Sequence, residues 1–230
     1  MPVGVIINVL CVASGGVLGS FLGLFIQEKL KNALSQLFGF VGLFIGILLL
    51  TKANNIGAVV LTLIFGLIIG TYADLDHRLN SIILRLNKAI YKEETSFDID
   101  LYSTLIVLFV FSTTGIIGAI SESATGDNSL LIAKAILDFF TAMIFSTKLG
   151  IRVSLIAVGQ LIFQLFLFFI GKIAFNFLQL KTYGDFCATG GVIQLMVGFN
   201  ILNIYKSKPL NLIISLFLII PISIFWQKIF

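Results

Sequence analysis

The chain has 230 residues, of which 58% are apolar and 11% charged, with a mean hydropathy of +1.09. A soluble domain needs enough polar surface to cover its core, and this chain lacks it, so a water-soluble globular fold is excluded. The formal charge of +4 comes from cations at segment ends, where they set membrane topology, and no nucleic-acid partner is expected.

The apolar runs are continuous and do not alternate with period two, which selects membrane helices over a β-barrel. Eight spans are read in chain order, with seven as the alternative: about Val3–Ile26, Leu37–Leu50, Ile56–Tyr72, Leu101–Ile120, Ser129–Thr147, Ile151–Phe175, Phe186–Ile204 and Leu210–Trp226. Met1–Leu10 carries no positive charge, so it lacks the first region of a signal peptide and the first span is expected to be retained. The second span is short for a bilayer that takes about 20 residues. It either starts earlier, within Leu34–Gln36, or is a broken or re-entrant helix. Pro221 is expected to bend the last span.

Ala73–Asp100 is the one candidate non-membrane element. Leu75, Leu79, Ile82, Leu86 and Ile90 recur at helical spacing between Arg78, Arg85 and Lys88, a pattern that suits an amphipathic helix on the membrane surface. Glu93 to Ser96 then reads as a solvated linker. Asp74, Asp76 and His77 read as a hydrated span end, and no metal is expected there. The organisation is therefore 1–72 (three spans), 73–100 (linker), 101–147 (a central two-helix hairpin) and 148–230 (three spans). Gly39 and Gly46 match Gly191 and Gly198 at equal spacing. Spans one to three and six to eight could thus be inverted repeats, a transporter architecture.

The connections after spans one, three, five and seven hold ten Lys and Arg residues: Lys29, Lys31, Arg78, Arg85, Lys88, Lys92, Lys148, Arg152, Lys206 and Lys208. The opposite side holds four, Lys52, Lys172, Lys181 and Lys228. The richer side is the cytoplasmic one, which puts both termini outside.

Lys134 and Asp138 are the charges that this pattern leaves inside a span. Intramembrane ions are costly and usually face a bundle interior or a pathway. At helical spacing they share a narrow stripe with Asp127 and Thr141, and they can pair at i, i+4. Asp127 or Asn128 would cap the helix start. The pair is either a structural clamp or part of a solute or ion path. Asn8, Gln160, Gln164, Gln194, Asn200 and Asn211 are lone amides that either glue helices together or line a cavity. Asn8 lies on the same stripe as Gly15 and Gly19. Gly15, Gly19 and Gly23, and again Gly66 and Gly70, have the small-residue spacing of close helix packing, within the fold or in a homodimer seam.

Cys11 and Cys187 fall in apolar segments without clustered spacing, so neither a disulfide framework nor a zinc site is expected. There is no phosphate loop, HExxH or GxSxG, and His77 is the sole histidine. No catalytic activity and no cofactor are expected.

Several of these residues carry a resemblance. Gly4-Val5-Ile6-Ile7-Asn8 with Gly15, Gly16 and Gly19 resembles the domain-of-unknown-function 554 (YqgA-like) membrane family of bacteria. So does Gly115-Ile116-Ile117-Gly118-Ala119-Ile120-Ser121, followed by Gly126-Asp127, Lys134 and Asp138. Gly190-Gly191, Gly198-Phe199-Asn200, Asn211 and Pro221 resemble its C-terminal signature. The fifth span departs from the family's Lys-Ser…Leu-Asp-Gly, reading Lys134-Ala135…Leu137-Asp138-Phe139, and Asn-Leu-Leu-Pro becomes Asn211-Leu212-Ile213-Ile214. The resemblance implies a polytopic protein of the bacterial cytoplasmic membrane, with transport suggested.

The reading that follows is an all-α bundle that serves as a secondary transporter or channel for a small polar or ionic solute. Lys134 and Asp138 would form a switchable pair, with Asp138 as proton or cation carrier, and Asn8, Gln164 and Asn200 would supply coordinating amides. Its rival is a non-transporting structural or regulatory membrane protein.

Overall fold

The computed structural model describes residues 1–22, 27–75, 77–78, 81–82, 85, 99–174 and 180–229. Gly23, Asp76 and most of the proposed linker helix (Leu79, Leu86, Lys88, Ile90 and Glu93 to Ser96) lie outside the described residues. Among the described residues the secondary structure is helical, without strands. The helices are α1 (Val3–Leu22), α2 (Glu28–Leu50), α3 (Ile56–Tyr72), α4 (Ile99–Val110), α5 (Thr113–Thr125), α6 (Ser129–Leu149), α7 (Arg152–Ala174), α8 (Leu180–Ile201) and α9 (Ile213–Ile229). A 3-10 turn, Pro209–Leu212, leads into α9, and Pro221 sits inside that helix.

Among the described residues six stretches are long and apolar enough to cross a bilayer: Val3–Leu22, Glu28–Leu50, Leu108–Thr125, Ser129–Leu149, Arg152–Lys172 and Pro209–Ile229. α3 has 17 residues, and α8 opens with Lys181 and Asp185, which lower its apolar content. Exposure is inverted relative to a soluble protein. Phe40, Phe44, Ile162, Phe166 and Phe217 face outward, whereas Asn8, Gln160, Gln164 and Asp185 are fully buried. Lipid as solvent accounts for both halves of that pattern.

Two sequence-based boundaries need correction. α2 starts at Glu28, not near Leu37, and runs for 23 residues, so the second span is a complete helix. Its first turn is polar, with Glu28 and Lys31 paired at 2.8 Å, and hydropathy alone discards such a turn. The interrupted span is the fourth. Leu101–Ile120 divides into α4 and α5 at Phe111–Ser112. Ser112 is extended (φ −67°, ψ 137°), and its hydroxyl accepts the Gly115 N–H at 3.1 Å, an N-cap in the interior of an apolar run.

The chain divides into two compact units, Met1–Ala33 with His77–Lys172, and Leu34–Asp76 with Ile173–Phe230. In the first, α1 lies along α6 in the same direction. A Cβ on Gly15 would strike the Phe139 carbonyl, and one on Gly19 would strike the Met143 carbonyl. α5 meets α7 through Gly171, where a Cβ would strike Ser123 and lie 3.1 Å from Ile120 Cα. Val9, Val12, Leu105, Phe109, Ala142, Val153 and Ile156 form the apolar core. The turns after α5 and α6 use Gly126 (φ 78°) and Gly150 (φ 67°), a backbone region closed to most side chains.

In the second unit α2 and α8 cross antiparallel through glycine. A Cβ on Gly198 would lie 3.1 Å from the Gly39 carbonyl, and one on Gly191 would lie 2.8 Å from the Gly46 carbonyl. α3 and α9 pack the same way, with Gly66 on Ser215 and Gly70 on the Asn211 carbonyl. Asp185 of α8 holds the start of α3: it accepts the backbone N–H of Asn54 (2.8 Å) and Asn55 (2.7 Å), the Asn55 side chain (2.9 Å) and the Ser223 hydroxyl (2.6 Å). Asp185→Ala removes the acceptor of all four bonds; Asn54 and Asn55 are open to solvent at least in part, so the loss should be about 1–3 kcal/mol from stranding the buried Ser223 hydroxyl. Thermal unfolding in detergent measures it, and a midpoint within a degree of wild type would contradict the role.

Candidate functional site

All the elements of the site belong to the first unit. α6 is 21 residues long, and Asp138 lies about 13 Å from its start, near mid-length, at the ordinary helical rise. Lys134 is one turn earlier. Both are buried, with 3% and 5% exposure, and the Lys134 ammonium contacts Asp138 Oδ2. The pair fits helix geometry, since residues four apart are neighbours on one face. Lys134 Nζ also lies 5.9 Å from the centre of the Phe109 ring at the end of α4, close enough for a cation–π contribution.

α1 supplies Asn8, which faces α6 along with Gly15 and Gly19. The two glycines bring the backbones together, so the Asn8 amide reaches the carboxylate, donating to Asp138 Oδ2 at 2.9 Å. α7 supplies Gln160 and Gln164, four residues apart and fully buried. Gln160 donates to Asn8 Oδ1 and, at 3.5 Å, to Asp138 Oδ2; Gln164 donates to Asn8 Oδ1 at 3.0 Å. The carboxylate thus orients the whole set. It fixes the Asn8 amide nitrogen toward itself, which turns Asn8 Oδ1 to the glutamines and their nitrogens to Asn8. Gln160 Oε1 and Gln164 Oε1 are left buried with no hydrogen-bond partner.

The broken span completes the site. Gly115, in the first turn of α5, sits where a Cβ would lie 2.9 Å from Gln164 Nε2 and 3.1 Å from Lys134 Cε. The N-terminal end of a half-helix therefore abuts the amide and lysine stem. Such ends carry partial positive charge, and broken helices at membrane depth occur where backbone is buried in protein or lines a cavity.

Other residues singled out from the sequence lie elsewhere. Thr141 is buried on α6, but its hydroxyl bonds to the Leu137 carbonyl at 2.7 Å. Asp127 is exposed in the turn before α6 and accepts the Ser129 N–H at 3.0 Å. Asn200 belongs to the second unit, where it ties the turn at Ser207 by three hydrogen bonds of 2.8–3.0 Å. The helix break at Ser112, the Phe109 ring and the fully buried Asp185 were not singled out. Ser112-Thr113-Thr114-Gly115 inside an apolar run was the available signal for the first, since that order caps helices. A second carboxylate, Glu122, is 5% exposed and accepts the Gly4 N–H at 2.6 Å and the Val5 N–H at 3.2 Å, which caps α1.

Comparison with known proteins places these residues in a wider set. The family model described as "Protein of unknown function (DUF554)" matches residues 3–224. The chain is 38% identical to the uncharacterised protein YqgA of Escherichia coli K12, over the full length of both. It is 26% identical to the uncharacterised membrane protein YdfK of Bacillus subtilis 168, over 96% of this chain and 95% of that one. No solved structure matches the chain at a significant level.

Proposed function

The chain belongs to the DUF554 family of membrane proteins, and we propose that it is a secondary transporter for a small polar or ionic solute, with Lys134 and Asp138 as a switchable pair. One observation carries the reading: an ion pair and three amides are gathered near mid-length of a long apolar helix, beside the start of a half-helix. Broken helices and midplane polar sites are how transporters of this kind hold solutes. Exchange of the Lys134–Asp138 contact for a solute contact would couple binding to a change of access.

An internal relation supports alternating access. A shift of 152 positions takes Gly39 to Gly191, Gly46 to Gly198, Gly19 to Gly171 and Asn8 to Gln160. The same exchange maps the Gly39–Gly198 contact onto Gly191–Gly46, and it maps Asn8–Gln160 onto itself. It also pairs the α1–α6 packing, Gly19 on Ser146, with the α7–α5 packing, Gly171 on Ser123. In the proposed arrangement these segments are inverted repeats, and within the first unit Asn8 and Gln160 are equivalent members of the polar site. The Lys and Arg bias supports an orientation with both termini on the outer side of the cytoplasmic membrane.

The bonds that close around Asp138 Oδ2 favour a second reading, in which the pair only clamps α1, α6 and α7. Flux separates the two. Proteoliposomes of the wild type should move protons or a small polar solute down an imposed gradient, and Asp138→Asn should reduce the rate at least about tenfold if Asp138 holds the carried species. Equal rates from two equally folded preparations would leave the clamp.

A further inference from the structure

We propose that this site binds an alkali-metal cation, and that the Lys134 ammonium is a tethered competitor for the same position on Asp138. The inference rests on the transport reading and narrows what the site takes. The amide orientations fixed by Asp138 leave Gln160 Oε1 and Gln164 Oε1 without partners, both on side chains of 0% exposure. Each oxygen is two bonds from an amide nitrogen that touches Asn8 Oδ1, so both belong to the same buried amide cluster. The acceptors gathered here are therefore the Asp138 carboxylate, Asn8 Oδ1 and two unpartnered carbonyl oxygens. Oxygen-only sets of this kind suit hard cations.

Charge selects the valence. Asp138 contributes one negative charge, and Lys134 is the positive charge beside it. A monovalent ion that takes the ammonium's place keeps the balance, whereas a divalent ion would leave an excess charge in low dielectric. Anions are disfavoured because they would face the carboxylate and the same unpartnered oxygens, despite the half-helix end. In the proposal the displaced ammonium swings toward the start of α6, since its stem sits one turn nearer that end and long cationic side chains reach toward membrane surfaces.

The test is cation-specific stabilisation of the full chain in detergent, with NaCl and KCl compared against choline chloride at equal ionic strength. Na+ or K+ should raise the wild-type unfolding midpoint. Lys134→Gln, which removes the competitor, should show the same rise at a concentration at least about tenfold lower. The neutral double variant Lys134→Gln/Asp138→Asn should show none. Absence of any alkali-specific rise in the wild type and in folded Lys134→Gln would overturn the proposal, as would a rise that persists in the double variant. If Lys134→Gln does not fold, the wild type against the double variant decides. Flux in proteoliposomes is read separately. Flux without alkali stabilisation would reject the cation and keep the transporter, and stabilisation without flux would do the reverse.

Discussion

Asp138→Ala, with Lys134 left in place, is expected to lower stability by about 3–5 kcal/mol, the usual cost of stranding a buried charge. The substitution also deprives Asn8 Nδ2 of its acceptor. Lys134→Met combined with Asp138→Asn should recover most of the loss, because it removes the stranded ammonium and keeps a carbonyl oxygen opposite Asn8. Lys134→Met alone, Asp138→Asn alone, this double variant and the wild type form a thermodynamic cycle, measured by thermal unfolding in one detergent. A coupling below about 0.5 kcal/mol, the level found for independent sites, would mean that the two groups do not sense each other.

The second large effect concerns helix contact. Gly19→Ala would place a methyl group against the Met143 carbonyl and the Ser146 hydroxyl. Backbone atoms cannot yield as a flexible side chain does, so α1 and α6 must separate, at a cost of about 1–3 kcal/mol for overpacking. Separation also lengthens the reach from Asn8 to Asp138, so under the proposed transport role loss of flux should accompany loss of stability. Gly159→Ala is the control. Its Cβ would meet nothing nearer than Val110 Cγ2 at 3.9 Å, and the gain in helix propensity should leave the protein as stable as wild type or up to about 1 kcal/mol more so. Equal melting points for the two variants would contradict the seam.

Much of this arrangement was legible in the sequence. Composition determines that the chain is a helical membrane protein. Helical spacing places Lys134 beside Asp138, and the stripe shared by Asn8, Gly15 and Gly19 implies that the amide faces the helix those glycines touch. Two things were hidden for physical reasons. Hydropathy averages over a window, so it merges α4 with α5 across Ser112 and trims the polar first turn of α2. Which amides meet is a matter of tertiary contact: Asn200 and Gln160 look alike in sequence, yet one ties a turn in the second unit and the other reaches Asp138. Asp185 near the start of α8 gave no local sign that its partners lie at Asn54 and Asn55, 130 residues away.

The interleaving of the two units bears on how the molecule is made. One is built from Met1–Ala33 and His77–Lys172, the other from Leu34–Asp76 and Ile173–Phe230. When α1 leaves the ribosome, the helix that buries Asn8 has not been synthesised, and α2 and α3 must wait longer still for α8 and α9. The early helices are therefore made before the partners of their glycine faces and of Asn8, and these surfaces stay uncovered until translation is nearly complete, the stage at which misassembly is easiest.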